Sequence, residues 1–139
     1  TSVIATNITF VNDSDKLNLD IQKGLIKEAV YVGENASLDF RRGVISGFNP
    51  AVLLDEKIEI TAKNLNNIKF QDMFFNLCNG NIFTKNNPNN EDLENWYGNS
   101  VFFNVYSQSN NTETFVDFYN EKRPDFRLRL GKITASSNN

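Results

Sequence analysis

Trp96-Tyr97-Gly98 follows the most polar stretch of the chain, Lys85 to Asn95. Trp and Tyr each join a flat apolar face to a polar handle, which suits stacking on a sugar or lying at the depth of lipid headgroups; the same pair can instead plug one end of a core. Arg127 and Arg129 stand two residues apart, on one face of an extended segment. Two guanidinium forks at that spacing can grip an anionic headgroup or a carboxylate, or they form the wet face of an edge strand, where charge deters aggregation. Trp96, Tyr97, Arg127 and Arg129 are therefore the candidate ligand-binding residues.

Other chemistry has fewer parts. Glu91-Asp92-Leu93-Glu94 and Asn12-Asp13-Ser14-Asp15 offer carboxylate oxygens of the kind calcium prefers, but neither completes a calcium loop, and solvated turn charges account for both. Nothing singles out two acids for glycoside hydrolysis. Gly43 and Gly47 stand beside Arg41-Arg42 without nucleotide-binding spacing. The chain has no His and a single Cys, which excludes Ser-His-Asp and Cys-His hydrolysis and leaves Cys78 without a base; it reads as core packing. The expectation is a non-enzymatic protein with no cofactor and no metal.

The 139 residues carry 14 Lys+Arg against 17 Asp+Glu, a formal charge of -3. That balance offers no basic surface to neutralise phosphates, so no nucleic-acid partner is expected. Hydrophobic residues make up 40%, enough for one packed domain over residues 1–139. No window approaches the roughly 18 apolar residues of a transmembrane segment. The N-terminus shows no basic segment followed by an apolar run, so a leader is either lacking or already removed. A lone Cys leaves the compartment open, with a secreted or surface-associated location slightly favoured. The sequons at Asn7, Asn12, Asn35 and Asn110 are what so Asn-rich a chain yields by chance.

The elements that must position these residues read as strands. Asn clusters at 64–67, 86–90 and 110–111 break the chain into short segments. Between them Leu17, Leu19 and Ile21, then Ile58, Ile60 and Ala62, then Leu128 and Leu130 alternate with polar residues. Ile4 to Val11, Leu38 to Phe40, Val44 to Phe48, Phe70 to Leu77, Val101 to Tyr106 and Thr114 to Tyr119 are rich in β-branched or aromatic residues. The last two runs are apolar at both parities and read as a hairpin across Ser107 to Thr112. Helical patterning is confined to Ile21 to Val32, which Gly24 interrupts, and one turn at Asn90 to Trp96. No internal repeat stands out. The expected fold is all-β, a single antiparallel β-sandwich of about eight or nine short strands.

Several short motifs in the C-terminal two-thirds resemble the aegerolysins, small acidic β-sandwich proteins. Asp55-Glu56-Lys57-Ile58-Glu59-Ile60 is similar to a strand of that family, Phe75-Asn76-Leu77 to its Phe-Asp-Leu, Trp96-Tyr97-Gly98 to its Trp-Gly, and Leu130-Gly131-Lys132-Ile133-Thr134 to its Leu-Gly-x-Ile-Thr. The family's Trp-Asp-Cys-Pro-Trp-Gly run and its Cys-Gly-Arg have no counterpart here. The resemblance implies binding to membrane lipids, often alongside a larger pore-forming partner, through Trp96 and Tyr97. Phe75 to Gly80 is also similar to a galectin strand, though a galectin sugar site needs a His.

Two functions follow as expectations. The first is a recognition module that binds a membrane lipid or glycan surface through its aromatic loop. The second is a self-assembling structural subunit of a virion, filament or other assembly, a homo-oligomer or a companion to a larger protein, in which doubly apolar strands and free edges pair with neighbouring copies.

Overall fold

A computed structural model of the chain describes residues 2–12, 23, 27–78, 82–83 and 90–109, and the backbone of 84–85, 115–117 and 125–128. Ten short strands wind through three parallel sheets. The first sheet has the order β1(Ser2–Thr6)-β4(Ser37–Arg41)-β7(Ile68–Gln71). The second has the order β10(Val105–Ser107)-β8(Phe74–Asn76)-β5(Val44–Ser46)-β2(Thr9–Val11), and the third β3(Val30–Val32)-β6(Val52–Leu54)-β9(Phe83–Lys85). The chain visits the three sheets in turn and then returns to the first, so each circuit is one coil of a parallel β-solenoid, stacked in register on the next. The only antiparallel pair among the described residues is β11(Phe115–Asp117) with β12(Asp125–Leu128). Two helices, α1(Ala62–Leu65) and α2(Asn90–Tyr97), and a 3-10 turn at Ser100–Phe102 complete the described elements.

The antiparallel β-sandwich is thus corrected to a mixed α/β architecture built on parallel sheets. Alternation marks a half-buried strand but is blind to the direction of its neighbour. Direction is set by the connections. Register partners Leu38 and Ile68, Val44 and Phe74, and Val52 and Phe83 lie about 30 residues apart, far beyond hairpin reach. The expected hairpin between Val101–Tyr106 and Thr114–Tyr119 is likewise absent: β10 lies parallel to β8, and β11 pairs with β12. Residues 58–62, expected as a strand, instead run from a turn into α1, whose N-cap Thr61 accepts a hydrogen bond from the Asn64 amide. The helical pattern expected over Ile21 to Val32 ends instead in strand β3, Val30–Val32, and most of its earlier part lies outside the described residues, as do the alternation at Leu17 to Ile21, the carboxylates of Asp13 and Asp15, and Leu130 to Thr134.

Each coil turns from the first sheet to the second through a residue with positive φ: Asn7, Arg42 and Asp72 in successive coils, then Phe103 before β10. The left-handed residue redirects the strand, and two residues later the next strand begins. Inside the coils, register aligns like with like. Ala5, Phe40 and Phe70 share one inward row, and Phe10, Ile45, Phe75 and Tyr106 another. The Phe40 and Phe70 rings stack at 6.1 Å, and Phe70 and Phe75 both meet Phe83 edge-on. These aromatics give a chain of short strands its continuous core. The second sheet is buried on its outer face as well, where Val44 and Phe74 form a separate cluster with Val11 and Val105.

Candidate functional site

The structure separates the two aromatics that the sequence places together. On α2, Leu93 and Tyr97 stand four residues apart and both face the core, while Glu91 and Asp92 occupy the first turn, where the helix dipole favours negative charge. Tyr97 is 1% exposed. Its ring stacks on Phe83 at 4.4 Å and meets Phe70 edge-on at 5.4 Å, and its hydroxyl donates to the Ile68 carbonyl at 2.7 Å. Burial raises the phenol's pKa. Trp96 is half-buried, packed against the same core and 6.2 Å from Phe102. Arg127 lies on β12, where only the backbone is described, and Arg129 lies outside the described residues.

Tyr97 belongs to a cap. In a parallel strand, successive residues aim their backbone groups alternately at the two flanking strands. Leu38 donates to Asn67, which turns the odd-numbered residues of β7 toward β4 and leaves Ile68 and Phe70 facing the outer edge. The outward carbonyls of both are occupied, Ile68 by the Tyr97 hydroxyl and Phe70 by the Asn104 amide at 2.8 Å. The same Asn104 amide donates to the Tyr97 carbonyl at 2.9 Å, and its oxygen accepts from the Met73 amide at 2.9 Å. The Asp72 amide donates to the Phe102 carbonyl at 2.7 Å. Glu94 on α2 accepts from the Ile82 amide at 3.1 Å, next to β9. Side chains and a helix therefore take the place that a further strand would fill beside β7.

The opposite end is built differently. Asn7 donates to the Arg41 carbonyl, so by the same alternation Ser2, Ile4 and Thr6 aim their N–H and C=O groups away from β4. Among the described residues no strand pairs with that edge. Ile4, on the outer face, is 79% exposed, and Val3, on the inward row with Leu38 and Ile68, is 47% exposed. Edge strands ordinarily carry Lys, Pro or a bulge that blocks pairing; β1 reads Ser-Val-Ile-Ala-Thr and pairs with β4 without a break in register. Beside it lies a shallow groove of about 240 Å³, lined by Ser2, Ile4, Ser37, Asp39, Asn67 and Lys69 among others. Asp39 is held there by a two-pronged contact from Arg41 at 2.8 and 3.0 Å.

Nucleophilic chemistry finds no support in Cys78. The thiol is 1% exposed and donates to the Asn76 carbonyl at 3.3 Å, and burial pushes its pKa up to about 12, the opposite of an activated thiolate. No group of three or more acidic or thiol side chains able to hold a metal occurs among the described residues. No helix among them is long and apolar enough to cross a membrane. Sequence reasoning missed Asn104 and the β1 edge, with which no described strand pairs. The available signal was the spacing of Val3, Leu38 and Ile68, and of Phe10, Ile45, Phe75 and Tyr106, at near-equal steps.

The lipid-binding and lectin-like expectations rested on a sandwich fold and an aromatic loop pair. The parallel sheets replace the first, and the burial of Tyr97 dismantles the second, so these expectations lose their support. Comparison with known proteins finds no matching family model, no matching curated protein and no matching solved structure.

Proposed function

We propose that this chain is a non-enzymatic structural subunit that joins a protein assembly by β-strand pairing along its parallel sheets. The observation that carries the reading is the contrast between two edges of one sheet. Beside β7, Tyr97 and Asn104 occupy the outward carbonyls; beside β1, an uncharged, unbulged strand presents its backbone groups and Ile4 with no partner strand among the described residues. Strand addition draws its affinity from main-chain hydrogen bonds and its specificity from the side chains that flank them, and it needs none of the acid–base equipment this sequence lacks.

Light scattering coupled to size exclusion, over a wide concentration range, tests the proposal. Mass should rise above that of the 15.8 kDa chain as concentration increases. A flat monomeric mass up to the solubility limit would remove it.

A further inference from the structure

We draw no further inference here: the strongest candidate, the exposed apolar surface of Val101 and Phe103 in the turn that follows α2, carries nothing, because nothing in the structure shows what covers it.

Discussion

Replacing Tyr97 by Phe removes one oxygen and keeps the ring, and so isolates the hydrogen bond that closes the β7 edge. The hydroxyl is buried and donates to the Ile68 carbonyl at 2.7 Å, while the stacking on Phe83 and the edge contact with Phe70 survive the change. A buried carbonyl left without its donor costs about 1–3 kcal/mol. With a urea m-value of about 2 kcal/mol/M, the midpoint should fall by about 0.5–1.5 M at constant m. A second readout carries a sign. Burial raises the phenol's pKa, so above about pH 10 the unfolded chain loses this proton while the folded chain keeps it, and stability falls as pH rises from the unfolded value toward the folded one. Tyr97→Phe should be the less stable protein at neutral pH and should lose stability less steeply above pH 10. A midpoint unchanged at pH 7 would refute the cap, because a tyrosine serving only as a surface contact would leave stability alone.

Asn104→Ala removes donors to Phe70 and Tyr97 and an acceptor for Met73, and should cost about 1–3 kcal/mol, read from the same urea titration. Gly47→Ala should lower stability by more than 1 kcal/mol, roughly, because Gly47 has φ of 87° and an added Cβ would lie 2.3 Å from the Asn12 carbonyl oxygen, which is backbone and has little room to move. Cys78 should resist a thiol reagent at pH 8 in the folded protein and react at once in denaturant; fast reaction of the native thiol would contradict its burial.

Strands of the first two sheets were legible in the sequence at least in part; their partners, and the whole third sheet of Val30–Val32, Val52–Leu54 and Phe83–Lys85, were not. Leu38-Asp39-Phe40 and Ile68-Lys69-Phe70 alternate as half-buried strands do, and each meets the other in the first sheet. What hid the solenoid was its corners. The left-handed residue is Asn7 in the first coil, a familiar choice, but Arg42, Asp72 and Phe103 in the others, so no common turn residue marks the repeat. The core rows keep apolar character while changing identity, Ala5 to Phe40 to Phe70, which conceals the step further. The expectation that Val101 to Tyr106 is apolar on two faces met a different structure: only Val105–Ser107 forms the strand, and Ser100–Phe102 is a 3-10 turn. Trp96-Tyr97 read as a surface pair because adjacency in sequence says nothing of facing; on a helix, neighbouring residues point about 100° apart, so Tyr97 is buried in the core while Trp96 packs only at its margin.

Backbone amide exchange along β1 tests the central claim most directly. In dilute solution the amides of Ile4 and Thr6 should exchange freely while that of Ala5, turned toward β4, is protected. As concentration rises and mass grows, Ile4 and Thr6 should become protected as well. Association that leaves the Ile4 amide exchanging at its dilute rate would place the contact elsewhere and contradict the account.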